Sequence, residues 1–547
     1  MRTRMEGGDS TDMCAKEDGS TSARAEPVPK AGLWQKATHS LTCKDMAVLF
    51  AASAVVYVLQ AFAWPLHPGR DLATYLIYYV DMSKATPTHY FLMASRTPVA
   101  PLFIGLTSSL GGPLLLEVAQ GLLFCCSILF MYSIGSHWSR RIGLIAGVAL
   151  VLYPPYGALY HAVSSDCVFA FAFLGWSAYL FRTFSSPSIS AFLWHGVAVF
   201  ALVLIRPSSQ IFLAFALAPF FLQTLSLRQR VLRSAVFLGA AVPLLLLWAT
   251  HNYVRYHDFT ISRGTNAIIP FYRLWCVDRI VRPENGPASR QLADAVRNDL
   301  LVHEPYPSYG IDEKTFFSCG DVRMWSDLVA LSDRTWGWDS DYKHLRPVAL
   351  EALARYPGVY VKALVRDLLG AFLQHGYLPD SIKRQGDPVP EVRLNARGLP
   401  IPSEGELIPH SYFHYPSTNP WNRAVPEERL KQLQVELLAL GLDIPRRNGS
   451  GRVATLLSYL TQAYPPMLTW LVVGLFAMAF RPHPARRTLL ILLSLSLLVL
   501  VVTFSGVRVI YQYRIPFDPL FILAGVAGVL HGGRSRWPSP SDARCPG

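Results

Sequence analysis

The sequence predicts an all-α polytopic membrane protein with a large mixed external insert. Of its 547 residues, 51% are hydrophobic and only 16% are charged, whereas about 25% of the residues of an average soluble domain are charged. Apolar windows of about 19 residues recur toward both ends of the chain, and each is long enough to cross roughly 30 Å of hydrocarbon. Lysine and arginine cluster in the short connectors between these windows, so the formal charge of +13 needs no nucleic-acid partner.

The composition divides the chain into successive regions. The two ends are polar, without a long apolar run, and are predicted to be cytoplasmic tails, the first of them disordered. Two apolar modules flank a region rich in tryptophan, proline and charge, which is predicted to be an external domain in the periplasm or a lumen. The regions are 1–45 (tail), 46–250 (N-terminal transmembrane module with external loop 65–112), 251–452 (external domain), 453–531 (C-terminal transmembrane module) and 532–547 (tail).

The positive-inside rule sets the predicted topology. The connector 136–141 carries two arginines and is predicted to be cytoplasmic, so only one crossing fits between it and the external loop. The segment 98–110 is shorter than the roughly 20 residues of a spanning helix, and we expect it on the outer surface, divided from the next span at Gly111 and Gly112. The other connectors then alternate between the cytoplasmic and the outer face in agreement with this rule, and both termini are predicted to be cytoplasmic. About ten spans are predicted: 46–64, 113–134, 142–159, 167–181, 190–205, 207–225, 234–249, 466–480, 488–504 and 515–531.

Residues 344–375 of the insert contain the pattern of an amphipathic helix. Apolar residues recur near the helical period of about 3.6, and Lys362 and Arg366 fall on or beside the other face. We expect this helix to rest on the bilayer or on the spans. The proline-rich residues 380–425 are predicted to be a loop. The apolar positions of the helix are Val361, Leu364, Val365, Leu368, Leu369 and Phe372.

Two aspartates at the predicted outer face are candidates for chemistry. Asp71 follows the first span and precedes an apolar, aromatic stretch. One interpretation is a helix N-cap, a position that aspartate favours. The other is a general base beside the membrane, able to take a proton from an acceptor hydroxyl. Asp166, at the outer end of another span, has the same two interpretations.

Arg206 lies at the outer turn between two apolar runs. An arginine at that depth is costly unless it reaches water or pairs with an anion, which makes it a candidate ligand for a substrate phosphate. The alternative is an exposed arginine beside a capped turn, because Pro207 suits the first position of a helix.

Further arginines lie on the predicted outer face, contrary to the positive-inside rule. Arg96 lies in the same loop as Asp71, and Arg508 and Arg514 bracket Tyr511 in a later connector. Several cations around two carboxylates on one face suit a phosphorylated substrate whose apolar part lies in the lipid. The residues alone predict an outward-facing site for a lipid phosphate, and they leave transfer chemistry and transport both open.

The order of the motifs resembles a known family of membrane enzymes. The motifs are, in order, GRDLATYLIYYVDM…SRTPVAPLF, YPPYGALYHAVSSDCVFAF, VLIRPSSQIFL, HNYVRYHDFTISRGTNAI and ALARYPGVYVKALVRDLL, and they cover most of residues 46–530. They resemble the bacterial glycosyltransferases of the GT-C fold, in the superfamily of the dolichyl-phosphate-mannose-protein mannosyltransferases and aminoarabinose transferases (glycosyltransferase family 39-like). The resemblance implies an inverting, mannosyltransferase-like enzyme of the cell envelope, with its catalytic module at 46–250. Its donor would be a polyprenyl-phosphate-linked sugar.

The resemblance also implies roles for individual residues. Asp71 would be the general base, Asp166 the second acidic position, and Arg96, in place of the more usual lysine, would meet the donor phosphate. Arg206, Arg508 and Arg514 are weaker phosphate candidates. We add Tyr75, His161 and Tyr511 as candidate contacts for the donor or the acceptor.

Two departures from the family pattern bear on cofactors. Arg70 precedes Asp71 where many relatives carry a second acidic residue, and Ser95 precedes Arg96 where some relatives place a carboxylate associated with a metal. A divalent cation therefore has no clear ligand set here. The implied partners are membrane lipids, the polyprenyl-phosphate-linked sugar, and a lipid, polysaccharide or protein acceptor, with no nucleic acid.

Other functions stay open at this point. One alternative is a transporter or flippase for a lipid-linked sugar, although the polar groups crowd one face rather than the middle of the membrane. Another is a catalytically inactive relative that serves as an assembly subunit. For each of these three functions, the chain is predicted to be an integral protein of the bacterial inner (plasma) membrane, with both termini cytoplasmic and the site on the outer face.

Overall fold

In the residues that the computed structural model describes, the chain consists of helices and one short parallel strand pair. Residues 45–547 cluster into one compact unit and residues 1–44 into another. The structure describes residues 31–69, 71–85, 87, 90–185, 187–263, 268–319, 322–337, 342–375, 395–396, 398, 427–440, 451–480, 483–506 and 511–530.

The helices follow one another along the described chain with few other elements. The N-terminal half contains α1 (Ala31–Ala63), α2 (Leu72–Asp81), α3 (Tyr90–Ser95), α4 (Val99–Ser136), α5 (Arg140–Val151), α6 (Pro154–Leu159), α7 (Ser165–Phe184), α8 (Ile189–Ile205), a 3₁₀ segment (Pro207–Phe221) and α9 (Leu227–Tyr256). The strands are β1 (His67–Pro68) and β2 (Ala162–Val163). The remainder contains α10 (Ile268–Tyr272), α11 (Pro287–Ala295), α12 (Glu313–Cys319), α13 (Val322–Trp336), α14 (Leu345–Arg355), α15 (Pro357–Leu373), α16 (Glu427–Ala439), α17 (Gly451–Ala463), α18 (Met467–Phe480), α19 (Pro484–Gly506) and α20 (Asp518–Leu530), with short 3₁₀ or π turns at Arg273–Val277, Pro283–Asn285, Val296–Leu300, Tyr511–Tyr513 and Ile515–Phe517.

The apolar helices make the chain an integral membrane protein. Within the described residues, six helical stretches are long and apolar enough to cross a membrane: Cys43–Ala63, Val99–Ser136, Ser165–Phe184, Leu227–Tyr256, Gly451–Phe480 and Pro484–Gly506. Shorter apolar helices lie at Ile189–Ile205, Pro207–Phe221 and Ile515–Leu530. The span predicted at 142–159 is divided between α5 and α6, because Pro154 and Pro155 begin a new helix after Tyr153. The count of about ten spans and the sidedness stay predictions.

The break predicted at Gly111 and Gly112 is present inside α4. Gly111 has φ −159° and ψ 21°, and Gly112 has φ 61° and ψ −156°, so neither is helical. Only glycine adopts the second of these without steric cost. The part of α4 before the break packs against α2: a Cβ at Gly105 would come within 2.1 Å of the Tyr79 ring. This segment therefore supports the helix that follows Asp71.

The insert has a hydrophobic core of its own. Its largest buried side chains include Trp275, Tyr306 and Phe316, with Leu292 and Leu328 packed among them. The principal core belongs to the apolar helices. The described part of the insert is therefore more than a connector between spans.

The segment 344–375 contains two helices, α14 and α15, separated at Tyr356 because Pro357 begins the second, and all six apolar positions of the predicted amphipathic helix lie in α15. Leu364, Leu368 and Phe372 pack against the core of the apolar helices. Val361, Val365, Leu369 and Leu373 are exposed on another face. The helix thus packs on the apolar helices along one side, and contact of its exposed apolar side with the bilayer stays a prediction. The predicted loop at 380–425 falls almost wholly outside the described residues.

Candidate functional site

The strand pair joins the loops that carry the two predicted aspartates. His67 pairs with Ala162 and Pro68 with Val163 in parallel register, and the His67 amide donates to the His161 carbonyl at 3.0 Å. The next residue, Gly69, touches the second loop so closely that a Cβ would lie 2.6 Å from the Val163 carbonyl oxygen. This close approach brings Asp71 and Asp166 to the same region, although they are far apart in sequence.

Replacing Gly69 with alanine should separate the two loops. The added methyl group meets backbone, which moves less readily than a side chain, and we expect a loss of about 1–3 kcal/mol in the free energy of unfolding. Thermal unfolding of the detergent-solubilised protein measures the effect. Gly239→Ala, within α9, is the matched control because nothing lies within 4 Å of its added Cβ; it should not destabilise the protein. Equal stability of the two variants would show that the contact at Gly69 is unimportant.

Asp71 occupies the N-cap position of α2 but does not cap it. Its backbone is left-handed, with φ 64° and ψ 12°, and its side chain makes no capping hydrogen bond. Its carboxylate instead lies 3.2 Å from Arg96 Nη2, with the two side chains 35% and 30% exposed. Asp71 therefore lacks the side-chain hydrogen bond that defines an N-cap. The left-handed conformation costs most non-glycine residues roughly 1–2 kcal/mol, and aspartate and asparagine less, and such strain is concentrated at functional sites.

The two residues before Arg96 are hydrogen-bonded to the segment that follows α9. The Arg263 amide donates to the Ala94 carbonyl at 2.9 Å, and the Ser262 hydroxyl donates to the Ser95 carbonyl at 2.7 Å. The Arg96 guanidinium carbon lies 5.5 Å from the centre of the Tyr75 ring. The segment after α9 thus positions the basic residue of the opening loop.

Tyr75 connects the opening loop to the start of α7. Its phenol donates to Ser165 Oγ at 2.9 Å, and burial raises its pKa, so the hydroxyl stays protonated at neutral pH. Ser165 precedes Asp166, whose amide donates to Ser164 Oγ at 3.2 Å. We use the name loop cluster for Asp71, Tyr75, Arg96, Ser165, Asp166 and Arg206.

Arg206 pairs with Asp166 within the loop cluster. Its Nη2 lies 2.7 Å from Asp166 Oδ1, with the two side chains 14% and 7% exposed. The guanidinium also lies 5.4 Å from the Phe169 ring and 4.8 Å from the Tyr513 ring. Arg206 is therefore not the exposed arginine of a capped turn, and the anion that balances its charge in this structure is a residue of the protein.

Arg514 does not belong to the loop cluster. It is fully buried, and Nε lies 2.8 Å from Asp518 Oδ1. Nη1 donates to the Ala371 carbonyl, and Nη2 donates to the Tyr153 hydroxyl at 3.1 Å. Each guanidinium nitrogen is thus engaged inside the protein, which favours a structural role over the predicted contact with a donor phosphate.

The remaining predicted residues lie apart from the loop cluster or outside the description. His161 is fully buried and stacks on Tyr57 with ring centres 4.2 Å apart. Burial lowers its pKa to about 3, so it is neutral and enclosed rather than presented to a substrate. Arg508 lies outside the described residues, as does the side chain of Tyr511.

The loop cluster gathers most of the predicted polar residues and adds others. Sequence reasoning missed Ser165 and Tyr513, which link its members, and Asp518, the partner of Arg514. A signal for that pair was present, because an arginine and an aspartate four residues apart face each other on a helical turn. In the part of the chain that the structure describes, no group of three or more His, Cys, Asp or Glu side chains forms a metal site. Chemically, the loop cluster combines the partly exposed Asp71 carboxylate with the adjacent Arg96 guanidinium. It also contains the more deeply buried ion pair of Asp166 and Arg206.

Comparison with known proteins gives one structural likeness. No family model and no curated protein matches the sequence. Among solved structures, the chain is similar to the crystal structure of ArnT from Cupriavidus metallidurans bound to undecaprenyl phosphate, with 16% sequence identity and a TM-score of 0.32. The match covers 88% of this chain and 77% of that one. A likeness at this level assigns neither an activity nor a residue role to this chain.

Proposed function

We propose that this protein is an inverting membrane glycosyltransferase of the GT-C type. It transfers a sugar from a polyprenyl-phosphate donor to an acceptor at the outer face of the membrane. The acceptor is a lipid, a polysaccharide or a protein. The proposal combines the sequence motifs with the geometry of the loop cluster, and it names no nucleotide and no metal as a participant.

One observation carries the proposal: Asp71 is strained, accessible and unused as a cap. A carboxylate that only stabilised α2 would accept a hydrogen bond from the first turn of the helix. Asp71 instead holds a left-handed backbone and faces Arg96 at 3.2 Å. A carboxylate and a cation that share a partly open site suit a reaction that takes up a proton and releases an anion.

The chemical step is a direct displacement at the anomeric carbon. An acceptor hydroxyl attacks this carbon while Asp71 takes its proton, and the bond between the sugar and the phosphate oxygen breaks. The new glycosidic bond has the opposite configuration, and the polyprenyl phosphate leaves with the electron pair. Arg96, adjacent to the carboxylate, exchanges its contact with Asp71 for one with the phosphate and stabilises the negative charge as it develops.

Transfer from purified polyprenyl-phosphate sugars in proteoliposomes tests the function. A panel of donors is needed because the loop cluster does not specify the sugar. Formation of a glycoside of inverted configuration, with release of polyprenyl phosphate, supports the proposal. Movement of intact donor between leaflets without cleavage would support a flippase instead. Donor binding without cleavage or movement, across the panel, would support an assembly subunit.

Replacing Arg96 with methionine should weaken donor binding. The variant keeps an unbranched chain over Tyr75 but loses the charge, and a hydrogen bond to a charged group is worth about 1.5–3 kcal/mol. We therefore expect the KM for the donor to rise by roughly 10- to 100-fold, with little change in thermal stability because the ion pair is partly exposed. Arg96→Lys should recover part of the loss.

Arg366→Met is the matched control for this variant. Arg366 is 75% exposed and lies 3.5 Å from Asp367, so its loss removes a surface charge away from the loop cluster. It should leave the KM unchanged. If Arg96→Met behaves like Arg366→Met, Arg96 does not contact the donor.

A further inference from the structure

A buried ion pair outside the loop cluster joins Arg514 to Asp518. Arg514 and Asp518 are both fully buried. Their contact is bidentate: Arg514 Nε lies 2.8 Å from Asp518 Oδ1, and Nη2 lies 3.2 Å from Oδ2. Asp518 is the first residue of α20, where the helix dipole favours a negative charge. The pair is therefore well satisfied despite its burial.

This pair ties together parts of the chain that are distant in sequence. The Tyr153 hydroxyl, at the break between α5 and α6, donates to Asp518 Oδ2 at 2.8 Å. Arg514 donates to the carbonyls of Ala371 and of Gln374, at the end of α15. The turn 511–517 is thus fixed simultaneously against the N-terminal helices, the insert and α20.

The same turn forms a wall of the Asp166–Arg206 pair. Tyr513, the neighbour of Arg514, places its ring 4.8 Å from the Arg206 guanidinium carbon. Phe517, at the other end of the turn, packs edge-on against Phe169 with ring centres 5.7 Å apart. Phe169 in turn lies 5.4 Å from the Arg206 guanidinium. Aromatic rings that enclose a guanidinium restrict the directions in which it points.

We infer that Arg514 and Asp518 are positioning residues for the loop cluster. They fix the turn 511–517 so that Tyr513 and Phe517 hold Arg206 in register with Asp166. They act through these aromatic side chains and do not touch the donor. The expected effect on donor binding rests on the proposed function. The position of Tyr513 follows from the contacts alone.

The test uses the full-length protein in nanodiscs with 3-fluorotyrosine at position 513. Asp518→Asn keeps the size of the side chain and removes its charge, so the turn should loosen. We expect the fluorine resonance to shift and broaden. Tyr153→Phe, which removes one hydroxyl from the network and preserves the ring, should shift it in the same direction by less, and it serves where Asp518→Asn fails to fold.

Asp278→Asn is the matched control. Asp278 pairs with Arg273 at 2.9 Å, and both side chains are almost fully buried; Arg273 also contacts Asp367 and the carbonyl of Phe504. This variant should lose stability too, yet leave the fluorine resonance in place. A resonance that moves equally in Asp278→Asn and Asp518→Asn, or in neither Asp518→Asn nor Tyr153→Phe, would overturn the inference.

Binding of a long-chain polyprenyl phosphate gives the functional readout. Affinity should fall by about tenfold in Asp518→Asn, the scale on which indirect contacts modulate a site, and stay unchanged in Asp278→Asn. Unchanged affinity in Asp518→Asn would overturn the link to the donor. If the unmodified protein binds no polyprenyl phosphate, the proposed function fails, and the fluorine experiment still decides whether the pair positions Tyr513.

Discussion

Replacing Asp71 with asparagine is expected to lower the rate of sugar transfer by about 100- to 10,000-fold, the contribution typical of a general base. Asparagine has nearly the same shape and tolerates the left-handed backbone, so the loop should keep its conformation. The ion pair with Arg96 is about one-third exposed on each side, and such pairs are worth about 0–1 kcal/mol. The variant should therefore lose little stability. Transfer assays measure the rate, and thermal unfolding of the same preparation measures the stability.

A second variant at this position separates catalysis from structure. Glycine adopts φ 64° without steric cost, so Asp71→Gly should fold at least as stably as the natural protein while it lacks the carboxylate. An inactive and stable Asp71→Gly variant would agree with a general base whose conformation is strained. An unstable one would make the carboxylate structural, and transfer at the natural rate by Asp71→Asn would remove it from the mechanism.

The helical framework was largely accessible from the sequence, because apolar runs, prolines and glycines act locally. The break at Gly111 and Gly112 is of this kind. The cap predicted at Asp166 is wrong, because Ser164 caps α7 and Asp166 lies in the first turn of the helix. The prediction of one span at 142–159 is wrong at Tyr153, because hydropathy alone predicts a continuous span although Pro154 and Pro155 indicate a new helix. A hydropathy window averages over the break, whereas a proline changes the backbone at a single residue.

The candidate site was only partly accessible, because the partner of a charge depends on the tertiary fold. Residue type and predicted side single out Asp71, Arg96, Asp166 and Arg206. The strand pair joins the loops of the two aspartates, and each aspartate pairs with one of the arginines. The left-handed backbone of Asp71 has no sequence signature. The charge of Arg514, its predicted outer side and the family resemblance favour a contact with the donor, whereas its four-residue spacing from Asp518 indicates the ion pair that the structure contains.

Replacing Asp166 with asparagine is expected to lower the free energy of unfolding by about 3–5 kcal/mol. The variant leaves the charge of Arg206 enclosed by aromatic rings without its protein anion, and removing one partner of a buried pair has an effect of this size. Denaturation in a defined detergent measures it. Glu284→Gln is the control, because Glu284 lies 4.0 Å from Arg282 with both side chains more than half exposed, and such a pair contributes little.

The response of Asp166→Asn to a polyprenyl phosphate decides what Arg206 does in the donor complex. If the donor phosphate reaches Arg206, it replaces the missing carboxylate, and the ligand should raise the melting temperature of this variant more than that of the natural protein. If Arg206 only supports the loop cluster, the ligand should stabilise both proteins equally through Arg96. A larger increment in the natural protein would mean that Asp166 itself aids donor binding. The difference between the ligand-induced rises in melting temperature of the variant and the natural protein is therefore positive, zero or negative. These outcomes mean, respectively, that the Asp166–Arg206 pair contributes Arg206 to donor binding, stabilises the fold or orients the site.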